Sequence, residues 1–188
     1  ISPDGKWIAF SSQKEGFLEV FCISTAGGIS KRITYLGSVS RVLGWKSNRE
    51  ILFYSNFENP NDFNIYTSSI QGGEPIQLPV GDANRISFAK SGGAVALGRC
   101  NKDSARWKRY RGGTVGNIWL KKNSKELFKP VVDLESDLSD PMIVGNRLYF
   151  LSDHEGIANL YSCNFDGEDI SKHSNQTQFY ARNAKSDG

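Results

Sequence analysis

The chain has 188 residues, 38% of them hydrophobic, enough for one core or two small ones. Its 23 basic residues against 20 acidic leave a net charge of only +3. That argues against a dedicated nucleic-acid binder, and no apolar run nears the ~18 residues of a membrane span. Three cysteines, Cys22, Cys100 and Cys163, lie far apart and leave one over, so no disulfide framework is expected. No signal-like stretch opens the chain. The start at Ile1 and the end on a turn pattern lead us to expect a piece of a longer protein.

Taken in chain order, one unit recurs. The first copy has the turn Pro3-Asp4-Gly5, an apolar strand from Trp7, a second strand from Glu19, the pair Gly27-Gly28 and a last strand at Arg32-Ile33-Thr34. The second has strands from Glu50 and Asn64, then Gly72-Gly73 and Ile76-Gln77-Leu78. The third runs from Ala94 and Asn117 to Leu127-Phe128, with about ten extra residues between its two strands, a loop site where length costs little. The fourth has strands from Arg147 and Asn159, then Asp166-Gly167. A recurrence of ~40–45 residues is the period of a four-stranded propeller blade. The strands are almost continuously apolar, as when both faces of a sheet are covered. A β-sandwich also has short strands and many turns, but it does not repeat aromatic and Gly marks at a fixed period.

The expected fold class is therefore all-β: about four propeller blades, each a four-stranded antiparallel sheet, over residues 1–38, 39–81, 82–134 and 135–178. Because propeller strands run from the channel outward, Val39–Gly44, Ala83–Phe88, Asp140–Val144 and Phe179–Asn183 are expected as innermost strands. The first blade lacks that strand. Residues 179–188 are expected either to begin the next blade or to close a ring, the open arc of a larger propeller being the favoured form.

Chemistry is sparse. No Gly-x-Ser-x-Gly nucleophile elbow occurs. His154 and His173 have no Cys or carboxylate at ligand spacing, so surface polar roles are expected and no metal or cofactor. The acidic stretch Asp133–Asp140 lacks the Gly-centred loop and terminal Glu of an EF-hand and reads as a solvated linker. The cysteines sit in or beside strands and read as small hydrophobes. Residues 102–111 stand out, with Lys102, Arg106, Lys108, Arg109 and Arg111 interleaved with Trp107 and Tyr110. Such a loop can stack on bases, fork onto a carboxylate of a peptide or neighbouring domain, or simply pack its aromatics while the cations stay in water.

Ser2-Pro3-Asp4-Gly5-Lys6-Trp7-Ile8-Ala9-Phe10 resembles the repeat of TolB-like propellers. The run Trp107-Lys108-Arg109-Tyr110-Arg111-Gly112-Gly113-Thr114-Val115-Gly116-Asn117-Ile118-Trp119 resembles the N-terminal propeller of tricorn proteases. So do Ile143–Phe150, Leu160–Ser174 and the stretch from Tyr180 to Gly188. The resemblance implies a six-bladed propeller in a large cytoplasmic serine protease that assembles as a hexamer. Its propellers gate peptides on their way to and from an enclosed site. The family's catalytic residues lie downstream, so no catalytic residue is expected here. For Arg106, Trp107, Lys108, Arg109, Tyr110 and Arg111 it favours a domain or peptide contact over nucleic acid. The expected partners are peptides, the other domains of the same chain and further copies of it, with no membrane. A TolB-like interaction scaffold and the propeller cap of a prolyl-oligopeptidase-type hydrolase are the alternatives.

Overall fold

The computed structural model describes residues 1–106 and 108–186. These form four antiparallel sheets, and no helix occurs among them. It follows that none is long and apolar enough to cross a membrane. The chain divides into two compact units, Ile1–Asn84 and the residues from Arg85 onward.

The first unit holds β1 (Trp7–Ser12), β2 (Glu19–Ser24) and β3 (Lys31–Arg32), ordered β1-β2-β3. It also holds β4 (Ser40–Trp45), β5 (Glu50–Ser55), β6 (Asn64–Ser69) and β7 (Ile76–Gln77), ordered β4-β5-β6-β7. The second unit holds β8 (Arg85–Phe88), β9 (Val95–Arg99), β10 (Asn117–Lys121) and β11 (Lys129–Pro130) as one sheet. Its other sheet is β12 (Leu138–Val144), β13 (Arg147–Ser152), β14 (Asn159–Cys163) and β15 (Ser171–Lys172). Every sheet is a meander of sequence neighbours, so each is one repeat of the sequence pattern folded on itself. The first has three strands, the innermost one lacking as the sequence order implies.

Register explains the repeat. Phe10 faces Phe21, Phe53 faces Tyr66 and Phe150 faces Tyr161 across their strand pairs. Each pair stacks, with ring centroids 5.8, 5.6 and 6.2 Å apart. In the first unit Val20 and Cys22 of one sheet pack against Ile51, Phe53 and Tyr66 of the other. In the second, Ile118 and Leu120 pack against Leu148, Phe150 and Tyr161. Both sheets of each unit thus hide an apolar face on the other. Cys163 lies in this core, where burial pushes its thiol up to about 11. Cys22 is likewise buried. Cys100 differs from the expectation: it is exposed, in a left-handed turn at φ 53°.

In the first and fourth sheets the residue that opens the second strand is part of a clip. The Thr34 hydroxyl donates to Glu19 and accepts from Val20 N at 2.9 Å. Ser174 does the same for Asn159 (2.8 Å) and Leu160 N (2.9 Å). One residue earlier, a carbonyl receives the chain after each sheet's last strand. Ser40 N donates to Leu18 O, Ala83 N to Phe63 O, Leu138 N to Gly116 O and Ala181 N to Ala158 O, all at 2.8–2.9 Å.

Two expectations need correction. The last strands are only two residues long, and the third sheet's is Lys129–Pro130 rather than Leu127-Phe128. There, Glu126 closes a turn with Asn123 and Lys122 N, which leaves Leu127 82% exposed. Phe179–Asn183 forms no strand among the described residues. Its groups bond instead to loops: Ala181 N to Ala158 O, Tyr180 OH to Gly156 O (2.8 Å) and Arg182 to Asp103.

Candidate functional site: the basic loop of the third sheet

Residues 100–116 join β9 to β10. A loop this long is a liability unless something fixes it. Its base is fixed by Asn101, only 3% exposed. The Asn101 amide donates to Leu138 O at 3.0 Å and to the carbonyls of Arg99 and Asn117, while its oxygen accepts from Asp140 N at 3.2 Å. Gly98 makes room for it, since a Cβ there would lie 2.1 Å from Asn101 Oδ1. At the far end Gly116 N donates to Asp137 Oδ1 at 2.7 Å.

The ascending limb is tied to the C-terminal segment. Arg182 Nε reaches both Asp103 oxygens at 2.8 and 2.9 Å, with Nη2 on the second, a forked charge-assisted pair. The Arg182 guanidinium holds the Asp103 carboxyl below its ordinary range. Ser104 Oγ donates to Ala181 O at 2.6 Å.

At the apex, Arg109 takes a left-handed conformation (φ 55°), which costs a non-Gly residue ~1–2 kcal/mol. The Arg109 N–H donates to Asp153 Oδ2. Asp153 is 1% exposed, and its Oδ1 is buried with no hydrogen-bond partner among the described residues. Lys108 Nζ sits 5.2 Å from the centroid of the Tyr180 ring. Thr114 Oγ1 donates to Tyr110 OH at 3.2 Å. Arg106, Lys108, Arg109 and Arg111 are exposed and Tyr110 half-buried. Trp107 lies outside the described residues.

The loop therefore presents cations outward over buried carboxylates. Burial pushes the Asp137 carboxyl above its ordinary value, and the Asp153 charge adds to the effect; the Gly116 N–H and Lys102 oppose it. Neither acid stood out in the sequence as a site residue. The stretch 133–140 is not the solvated linker it resembled: Asp137 and Asp140 are buried, and Asp140 pairs with Arg85 at 2.9 Å. The usable signal for Asp153 is its place after the strand-end Ser152, where the second sheet has Asn56 after Ser55.

The histidines have packing roles. His154 Nδ1 lies 3.0 Å from Ser152 Oγ and its ring 4.6 Å from Tyr161, and burial first of all lowers its pKa. His173 Nε2 lies 2.7 Å from Ser162 Oγ, with its ring against Tyr149. Among the described residues no group of three or more His, Cys, Asp or Glu side chains could hold a metal ion.

Comparison with known proteins bears on this arrangement. A family model described as the tricorn protease N-terminal beta propeller domain matches residues 1–188. The tricorn protease homolog of Saccharolobus solfataricus is 38% identical over 100% of this chain and 18% of its own length. A crystal structure of the tricorn protease superposes with a TM-score of 0.85 at 31% identity, over 97% of this chain and 19% of that one. A putative TolB from Agrobacterium tumefaciens matches with a TM-score of 0.66 at 19% identity, over 92% of this chain and 62% of its own, a likeness of fold alone. The four sheets are blades of propeller type, and the chain spans under a fifth of the length of the Saccharolobus solfataricus homolog and of the tricorn protease chain in the crystal structure.

Proposed function

This chain belongs to the tricorn protease N-terminal β-propeller domain family, and on that footing we propose that it is the non-catalytic propeller of a tricorn-type serine protease. It gates or filters peptides on their way to or from a proteolytic site elsewhere in the parent protein. The observation that carries this is the family match along all 188 residues together with likeness to the tricorn protease structure over 97% of the chain. Thr34, Asn101, Asp103, Asp137 and Ser174 are taken up by clips and loop anchors, which fits a domain that supplies no catalytic group. The Ala181–Ala158 hydrogen bond repeats the one found at or just before the start of three innermost strands. It supports reading residues 179–188 as the entry to a further blade of an open arc.

Within this reading the basic loop is a contact surface. Arg106, Lys108, Arg109 and Arg111 meet a carboxylate of a passing peptide, of another domain of the same chain or of another copy in a hexamer. A planar guanidinium suits such a fork better than a point charge. The setting is cytoplasmic. The TolB-type scaffold and prolyl-oligopeptidase cap are less well supported, because likeness to those structures is at 19% identity or below.

Deleting the propeller from the full-length parent tests the gating role. The expected result is a changed preference for peptide length with unchanged turnover of a minimal substrate. Unaltered length preference overturns it.

A further inference from the structure

We propose that Asp153 is a positioning residue for the apex of the basic loop, seating Arg109 from the neighbouring blade by accepting its backbone hydrogen bond. Three observations converge on it. The bond runs from the loop apex to a residue 44 positions away, so it fixes the loop to a different sheet. The bonded residue is the one at the apex that holds a strained left-handed conformation, at φ 55°. Strain of that kind persists only where surroundings over-determine it. Finally, the acceptor is 1% exposed, while the side chain of the residue it seats and its cationic neighbours are exposed. A buried acceptor below and exposed guanidinium groups above is the arrangement that holds a binding constellation in place.

The role is that of a hydrogen-bond acceptor rather than of a counter-ion. Among the described residues no ion pair is formed by Asp153, and its second oxygen is buried without a partner. In the second blade the same place is held by Asn56, whose Oδ1 accepts from Val39 N at 3.3 Å and from Ser38 Oγ at 2.6 Å, in the lead-in to β4 rather than in a loop of the preceding blade. An amide oxygen thus serves as an acceptor at this place in the repeat, though for a different donor.

The inference rests on the reading of the loop as a contact surface only for its effect on activity, and the test separates the two. Peptide-level hydrogen exchange over residues 101–116 is measured in the full-length parent protein for wild type, D153A and D153N. D153A is expected to speed loop exchange at least ~10-fold, a loss of about 1.4 kcal/mol of local protection, while D153N retains wild-type exchange. Unchanged exchange in D153A, or equal loosening in D153N, overturns the assignment. KM and kcat are then compared for D153A, R109A/R111A and their combination on peptide substrates. A rise in KM at constant kcat that is no larger in the combination shows that Asp153 acts through the loop cations. A combined effect equal to the sum overturns that. A loosened loop with KM unchanged in every variant upholds Asp153 as the anchor and refutes the contact reading.

Discussion

Two loops occupy the same place in the repeat and are held in opposite ways. Residues 56–63, in the unit Ile1–Asn84, are fixed largely from within. Asn56 Nδ2 donates to Pro60 O at 3.0 Å, Asn61 N to Asn59 Oδ1 at 3.1 Å, and Glu58 accepts from Tyr66 OH at 3.0 Å. Residues 100–116, in the other unit, are fixed from outside, by Asp137, Asp153, Ala181 and Arg182. A short loop satisfies its polar groups with its own Asn and Asp side chains. The longer one places four cations in solvent, Arg106, Lys108, Arg109 and Arg111, and borrows buried acceptors from the next blade. Anchoring of that kind fits a loop kept in one shape for a purpose, and the blade comparison can be broken or sharpened by mutation.

The largest contrast concerns glycine. Gly167 and Gly72 follow equivalent strands at φ 81° and 85°. A Cβ at Gly167 would lie 1.8 Å from Val131 O, whereas at Gly72 the nearest atom, Ile33 O, is 3.9 Å away. Gly167→Ala is expected to lower local stability by ~2–4 kcal/mol, against ~1 kcal/mol for Gly72→Ala, where only backbone strain is added. Hydrogen exchange of the two units in the full-length parent reads both. Equal losses would show the second unit to be as open there as the first.

Next are the loop bases. Asn101→Ala leaves Leu138 O and Asp140 N without their buried partner and should cost ~1–3 kcal/mol. Asn56→Ala, at a half-buried site, should cost under ~1.5 kcal/mol. Exchange protection of each loop compares them, and the reverse order would contradict externally supplied anchoring.

The smallest effect is a dependence on pH. With its folded pKa raised, chiefly by burial, Asp137 binds more protons folded than unfolded above the ordinary carboxylate range. Its contribution to stability therefore falls as pH rises through that window. Asp103, lowered by Arg182, has the opposite sign: its contribution is lost as pH falls through a value below the ordinary range. Asp137→Asn should remove the first slope and leave the second. Protection of Gly116, corrected for intrinsic exchange, would show it; an unchanged slope would exclude Asp137 as its source.

The blades were legible because their cause is local. Aromatic pairs such as Phe53 with Tyr66 and Phe150 with Tyr161 recur in sequence because the same register recurs in space. The basic loop was legible as a cluster of charge. Its anchors were not, because Asp137, Asp153 and Arg182 lie 21, 44 and 79 residues from the groups they hold. No period or spacing marks such pairs. The two-residue outer strands were overestimated for the converse reason, since local composition at Leu127-Phe128 resembles a strand that the Asn123–Glu126 turn prevents.

The central claim, that the loop presents its cations to a carboxylate-bearing partner, is tested most directly by steady-state kinetics of the full-length parent. R109A/R111A is compared with K122A/K125A, which removes two other cations of the same blade. A rise in KM of ~10-fold or more for the loop variant alone, as expected for lost charge-assisted hydrogen bonds, is the predicted result. Equal kinetics for the two variants would contradict it.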